Sequence, residues 1–144
     1  MTPEQRQTVA GEARRWLGTP YHHNARLLGV GVDCALLPAA VYEAAGVIEH
    51  VDPKYCRDWH LHRSGEQYVD WVIHTGGREI TREEADTGDL VLWRWGRTFS
   101  HGAIIVDRPN VIHAWLGLGV TQDNMDQHTE LSSREARFFT MGAG

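Results

Sequence analysis

The hydrophobic pattern of this chain changes its period about halfway along, and this change limits the folds open to it. In the N-terminal half, apolar residues recur at helical spacing, as in residues 9–17 and 34–45. In the C-terminal half, short β-rich runs at 89–93, 102–106, 111–115 and 137–140 are separated by Gly, Pro, Asn and Asp. Helices followed by consecutive strands predict an α+β fold, with N-terminal helices packed on a small antiparallel β-sheet. A doubly wound parallel sheet is excluded, because it requires alternating helices and strands.

Three helices are predicted in the N-terminal half. Thr2 and Gln5 have the spacing of a capping box, and Gly18 stands where this first helix should end. Asp33 is the predicted N-cap of a second helix over 34–45, which Gly46 closes. That helix is apolar almost all round, so we expect it to be buried at the centre of the fold. A third helix is predicted near 58–74.

Length, charge and cysteine content exclude several classes of protein. The chain has 144 residues, which predicts one domain over residues 1–144. Its net charge of −5 argues against nucleic-acid binding, and no apolar run approaches the roughly 18 residues of a membrane-spanning helix. The two cysteines, Cys34 and Cys56, form no disulfide framework, which favours free thiols and a reducing compartment. The first residues lack the apolar stretch of a secretory signal peptide, so we expect synthesis in the cytoplasm.

Cys34 is the candidate nucleophile. It opens the buried second helix, where free backbone N–H groups and the helix dipole are expected to lower a thiol pKa and to stabilise an oxyanion. The alternative interpretation is an inert buried cysteine, which is the commonest fate of a free thiol. A nucleophilic cysteine needs a base and a third group that orients the base, and His101 and His113 stand on two successive predicted strands.

The geometry of a β-hairpin determines whether His101 and His113 can lie together. If Ile105 lies opposite Val111, with 106–110 as the loop, His101 and His113 share one face of the sheet as diagonal neighbours. A register shifted by one residue places them on opposite faces. A zinc site built from Cys34, His101 and His113 is a minor alternative, because structural zinc needs four ligands.

Five segments together resemble the NlpC-type cell-wall cysteine peptidases, a family with a small papain-like fold. They are WLGTPY at 16–21, GVGVDC at 29–34, GDLVLW at 88–93, HGAIIV at 101–106 and VIHA at 111–114, in the order of the family. The segment YHHNAR at 21–26 looks most like the branch encoded with phage and phage-like tail genes.

The resemblance implies a role for each site residue. Cys34 is the implied nucleophile, His101 the general base and His113 the residue that orients it. Tyr21 is expected beside the thiol to bind the oxyanion, and Asp33 to cap the helix and meet the amino end of the substrate. The implied substrate is a peptidoglycan stem peptide, cleaved between D-γ-glutamate and the adjacent diamino acid, and no metal or organic cofactor is implied.

Several interpretations stay open at the level of sequence. His23 is either a substrate contact or a solvated loop residue, and Trp115 either lines the cleft or packs against the sheet. Leu36, Leu37 and Pro38 depart from the family pattern; a proline there should make the helix irregular, and the leucines could narrow the cleft. A catalytically weak or inactive tail-tip component with the same fold is therefore the alternative function.

The partners implied are peptidoglycan and phage tail-tip or baseplate proteins. The substrate lies outside the cytoplasmic membrane, so we expect incorporation into a phage or phage-like tail that acts on the periplasmic cell wall. The first candidate for a docking segment is residues 131–139, which include Phe138 and Phe139; packing of both rings in a last core strand is weighed equally.

Overall fold

A computed structural model describes residues 1–49 and 67–142, and these residues form an α+β fold. The elements, in chain order, are α1 (Pro3–Arg15), β1 (Arg26–Leu27), β2 (Gly31–Val32), α2 (Leu36–Ala44), α3 (Gln67–His74), β3 (Arg78–Ile80), β4 (Leu90–Trp95), β5 (Thr98–Asp107), β6 (Asn110–Trp115), β7 (Gly119–Asn124), α4 (Thr129–Ser133) and β8 (Ala136–Thr140). Part of the predicted helix over 58–74 is confirmed as α3; the rest of it, and Cys56, lie outside the described residues. Within those residues, no helix combines the length and the apolar composition that crossing a bilayer requires.

Helix α1 begins with the predicted capping box. The Thr2 hydroxyl accepts a hydrogen bond from the Gln5 N–H, and the Gln5 side chain accepts one from the Thr2 N–H. Two unpaired N–H groups at the helix start are thereby satisfied. The buried side of the helix, with Val9 and Ala13, packs on the rest of the core.

Six strands form one antiparallel sheet in the order β3-β8-β4-β5-β6-β7. Side chains alternate across it, as the pleat of a strand requires. Along β4, Leu90 and Leu92 join the core that includes the helices, whereas Val91 and Trp93 join a second core with Leu131 and Phe138. The sheet is therefore buried on both faces through its centre.

The β5–β6 hairpin has the predicted register. Ile105 lies opposite Val111, and Ile104 lies opposite Ile112. The predicted loop over 106–110 is wrong in length, because the strands continue to the pair Asp107–Asn110. A register irregularity between Ile105 and Asp107 absorbs the additional residue, as a β-bulge does.

The C-terminal strand lies where residues 131–139 were expected to form a docking segment. Strand β8 lies between β3 and β4, inside the sheet rather than on the surface of the fold. Phe138, Phe139 and Leu131 are all buried there. The large apolar side chains of segment 131–139 are thus part of the core and do not form an exposed apolar docking surface.

Candidate active site

Cys34 lies between β2 and α2, at the start of the most buried helix. The preceding Asp33 is fully buried, and its carboxylate accepts hydrogen bonds from the backbone N–H groups of Ala35 (3.1 Å), Leu36 (2.9 Å) and Asn24 (2.9 Å). The expected capping role of Asp33 is confirmed by these contacts. Its carboxylate is inaccessible to solvent, so the structure offers no surface of Asp33 for the expected contact with a substrate amine.

The first turn of this helix is irregular, as the proline predicts. The Leu37 N–H donates to the Asp33 carbonyl (3.1 Å), but Pro38 has no N–H for the carbonyl of Cys34. Regular helix therefore begins at Leu36 instead of Cys34. The Tyr68 hydroxyl, from α3, donates to the Cys34 carbonyl at 3.5 Å and supplies the missing donor.

Gly102 on β5 makes room for that hydroxyl. A Cβ atom at this position would overlap the Tyr68 Oη, so only glycine fits while Tyr68 reaches the carbonyl. The expectation that Leu36 and Leu37 narrow the cleft is wrong, because both side chains are buried in the core.

The Cys34 thiol is partly exposed and has two polar contacts. It donates to the carbonyl oxygen of Ser100 (3.8 Å), the residue immediately before His101, and it accepts from the Tyr21 hydroxyl (3.9 Å). An isolated bridge to Val32 holds Tyr21 beside this turn. The expected neighbourhood of Tyr21 and the thiol is confirmed.

The pKa of the thiol differs in direction from the expectation. Burial, with a smaller contribution from the Asp33 carboxylate, raises the pKa of Cys34 to about 12. This direction is opposite to the lowering expected at a helix N-terminus, and it favours the neutral thiol at rest. Burial, together with Cys34 and Asp33, also raises the pKa of Tyr21, which keeps its hydroxyl protonated and able to donate.

His101 and His113 meet on the face that the hairpin register predicts. His101 Nε2 lies 2.8 Å from His113 Nδ1, and their ring centroids are 5.1 Å apart. His113 Nε2 in turn lies 2.7 Å from the Asp123 carboxylate on β7. His101, His113 and Asp123 thus form a hydrogen-bonded row.

Both imidazoles are neutral near pH 7. Burial, reinforced by His113, His128 and Arg134, lowers the pKa of His101 to about 3. Burial also lowers the pKa of His113, although hydrogen bonding to Asp123 opposes this shift. A neutral imidazole can accept a proton, which is what a general base requires.

Aromatic rings surround the two histidines. The ring of Trp95 lies 5.3 Å from His101, and that of Trp115 lies 5.4 Å from His101 and 5.3 Å from His113. Trp115 packs on both imidazoles and is itself partly exposed to solvent. His128 packs on the other side of Trp115, with centroids 5.0 Å apart.

The remaining candidates are less informative. His23 lies in an exposed turn just after Tyr21, and its contact with a substrate stays a prediction. In the described part of the chain, no group of three or more His, Cys, Asp or Glu side chains is arranged to hold a metal ion.

The family of the chain follows from its sequence. The profile of the NlpC/P60 family matches residues 18–134, a span that includes the thiol, both histidines and Asp123. The chain belongs to the NlpC/P60 family. No match was found among curated protein sequences.

Solved structures of NlpC/P60 proteins share the fold. The NlpC/P60 domain of the peptidoglycan hydrolase SagA has a TM-score of 0.66 at 20% identity, covering 92% of this chain and 96% of that one. A lipoprotein-like NlpC/P60 protein from Staphylococcus aureus subsp. aureus Mu50 has a TM-score of 0.65 at 23% identity, covering 95% of this chain and 42% of that one. RipD from Mycobacterium tuberculosis, a non-catalytic NlpC/P60 domain protein adapted to peptidoglycan binding, has a TM-score of 0.62 at 14% identity, covering 94% and 96%.

Within this NlpC/P60 fold, sequence analysis missed Asp123 and Tyr68. Strand β7 carries mostly polar residues after Val120, so its apolar alternation is too weak to mark it as a strand. A signal was nevertheless available. A second hairpin through residues 116–118 pairs His113 with Thr121, and it brings the next residue on that face, Asp123, beside His113.

Proposed function

We propose that this chain is a cysteine endopeptidase that cleaves peptidoglycan stem peptides, at the amide bond between D-γ-glutamate and the adjacent diamino acid. One observation carries the proposal. A thiol at a helix start lies against the residue before His101, and His101 is hydrogen-bonded to a second imidazole. Membership of the NlpC/P60 family and the likeness to SagA, a peptidoglycan hydrolase, support the substrate class.

In the proposed reaction, the resting pair is a neutral thiol and a neutral imidazole. His101 accepts the thiol proton as the sulfur attacks the carbonyl carbon, because a thiol with a pKa of about 12 is not ionised beforehand. The Tyr21 hydroxyl, 3.9 Å from the sulfur, and the Cys34 backbone N–H are the proposed donors to the resulting oxyanion. The imidazolium then protonates the leaving amine, and water hydrolyses the thioester to release the acid and restore the thiol.

Digestion of purified peptidoglycan tests this activity. The wild-type protein should release fragments whose diamino acid carries a new free amino group, identified by mass spectrometry. Cys34→Ala should release none, because the reaction then lacks its nucleophile. Cys56→Ala, which removes the other cysteine of the chain, is the matched control and should digest the wall at the wild-type rate.

The competing function is a non-catalytic role, as described for RipD. The proline in the helix of the nucleophile favours this alternative, because it disturbs the turn that holds the thiol. Sedimentation of the protein with peptidoglycan, without any new amino groups from the wild type, would replace the hydrolase proposal with a binding role.

We also propose that the protein is assembled into a phage or phage-like tail and acts from it on the periplasmic cell wall. The segment 21–26 supports this proposal through its resemblance to tail-associated members of the family. Mass spectrometry of purified tail particles from the source strain tests it, with tail-tip and baseplate proteins as the expected neighbours.

A further inference from the structure

Asp123 extends the row of histidines by one carboxylate. It stands on β7, which pairs with β6 so that Asp123 is diagonal to His113 on the same face. Its Oδ2 lies 2.7 Å from His113 Nε2, and His113 is fully buried while the Asp123 side chain is 31% exposed. A carboxylate accepts hydrogen bonds here, so His113 Nε2 must carry the hydrogen.

That single contact determines the state of both imidazoles. A neutral His113 with hydrogen on Nε2 has a lone pair on Nδ1, which can only accept. His101 Nε2, 2.8 Å away, must then donate, and the remaining lone pair of His101 is on Nδ1. His101 is thereby kept in the tautomer whose free lone pair is on Nδ1, the atom that takes the thiol proton in the proposed reaction.

Control of the tautomer is necessary because the residue that orients His101 is itself a histidine, His113. Unlike a carboxylate, an imidazole can present either a donor or an acceptor to its neighbour. With the hydrogen bonds reversed, His113 would donate to His101 Nε2, and the hydrogen of His101 would sit on Nδ1. In that tautomer His101 cannot accept a proton at Nδ1.

We infer that Asp123 is a positioning residue, which acts through His113 to hold His101 in the proton-accepting tautomer. Its effect on hydrolysis rests on the proposed function, whereas its effect on the tautomers does not.

The charged neighbours of the pair agree with this assignment. His128 and Arg134 both disfavour a positive charge on His101, and His128 also disfavours one on His113. Asp123 acts in the opposite direction on His113. Its carboxylate therefore also stabilises the imidazolium that forms when the thiol gives up its proton.

Three variants test the inference. Asp123→Ala removes the acceptor, and Asp123→Glu restores a carboxylate on a longer side chain. Asp126→Ala is the matched control, because Asp126 is an exposed carboxylate three residues away whose ion pair with Arg82 spans 3.6 Å. Circular dichroism and the Tm establish that each variant is folded. We expect this result because Asp123 is partly exposed and lies on β7, an edge strand of the sheet.

The first readout is the tautomeric state, measured from imidazole ¹⁵N shifts at pH 7 without substrate. The wild type and Asp126→Ala should show hydrogen on Nε2 of both His101 and His113. Asp123→Ala should show a mixture that includes the Nδ1–H form of His101, and Asp123→Glu should restore the wild-type pattern at least in part. Wild-type shifts for both histidines in Asp123→Ala would overturn the inference.

The second readout is the rate of peptidoglycan hydrolysis. Asp123→Ala should lower kcat at least about 10-fold with KM unchanged, but by less than the roughly 10⁴-fold known for loss of a carboxylate that contacts the base directly. Asp123→Glu should recover part of the rate, and Asp126→Ala all of it. An unchanged kcat in Asp123→Ala would overturn the inference.

If the wild type itself cleaves no peptidoglycan, the proposed function fails and the tautomer measurement still decides the role of Asp123. Alkylation of Cys34 by iodoacetamide, followed by peptide mapping, gives a substrate-free rate in addition. Asp123→Ala should be alkylated more slowly at pH 7 than Asp126→Ala, and equal rates would count against the inference.

Discussion

Two buried, neutral imidazoles make the stability of this protein depend on pH. The pKa of His101 is lowered from its ordinary 6.5 to about 3, because burial disfavours the charged form. Between these two values the unfolded chain binds a proton that the folded chain does not, so acidification favours unfolding. The stabilising contribution is complete above pH 6.5 and is lost progressively as the pH falls towards 3.

We therefore predict that the free energy of unfolding falls between pH 6.5 and pH 4, with a slope of up to about 1.4 kcal/mol per pH unit from His101 alone. Urea denaturation at a series of pH values measures it. His101→Gln should flatten the slope, because glutamine does not titrate. Equal slopes in the wild type and His101→Gln would contradict this origin.

At the scale of elements, the helix of the nucleophile depends on a residue from another helix. Pro38 has no N–H to donate to the Cys34 carbonyl, and this carbonyl accepts a hydrogen bond from the Tyr68 hydroxyl at 3.5 Å instead. Elsewhere, the buried Tyr42 hydroxyl donates to the carbonyl of Gly88 at 2.7 Å. The two tyrosines are thus a matched pair, because Tyr68 donates to the carbonyl of Cys34 and Tyr42 does not.

A double-mutant cycle distinguishes their roles. Tyr68→Phe leaves the Cys34 carbonyl without a donor and should cost about 1–3 kcal/mol of unfolding free energy. In a Pro38→Ala background the new N–H can serve that carbonyl, so the same substitution should cost measurably less. Tyr42→Phe should cost the same in both backgrounds. Chemical denaturation of the six proteins measures the coupling, and an identical cost for Tyr68→Phe in both backgrounds would show that the hydroxyl does not replace the helical donor.

The elements that sequence predicts well are those whose signal is local. The capping box at Thr2, the cap at Asp33 and the break at Pro38 each depend on residues within four positions, and each has the predicted effect. The register of the β5–β6 hairpin was also predictable, because one chemical constraint, two imidazoles on one face, fixes its parity. The same constraint predicts that His101 and His113 lie together, as they do, whereas the catalytic roles of Cys34, His101 and His113 stay predictions.

The elements that sequence missed depend on contacts between distant parts of the chain. Strand β7 lacks apolar alternation, so the place of Asp123 beside His113 could be inferred only by extending the sheet through a second hairpin over residues 116–118. The Tyr68 contact crosses from α3 to α2 and requires a glycine on β5. The pKa of Cys34 is raised rather than lowered, because burial, which depends on the whole fold, and the Asp33 carboxylate both disfavour the thiolate.

At the scale of the whole molecule, β8 lies inside the sheet rather than at its edge. Strand β8 pairs with β4 on one side and with β3 on the other. The C-terminal strand therefore holds β3 in the same sheet as β4, although β3 and β4 do not pair with each other. Neither local pattern nor strand order in the sequence contains this arrangement. It makes the C-terminal segment a structural requirement.

Truncation after Glu130 should therefore unfold the protein. The truncated chain loses the buried side chains of Leu131, Phe138 and Phe139, each of which stabilises the fold by about 1.5–3 kcal/mol through burial alone. It also exposes the backbone groups of β3 and β4 that pair with β8. Because a domain is stable by only about 5–15 kcal/mol, these losses together should abolish the cooperative transition. Circular dichroism and thermal melting measure the outcome, with a chain ending after Met141, which keeps β8 complete, as the folded control. A truncated protein that melts cooperatively at the wild-type Tm would show that residues 131–139 are dispensable to the core and would return them to consideration as a docking segment.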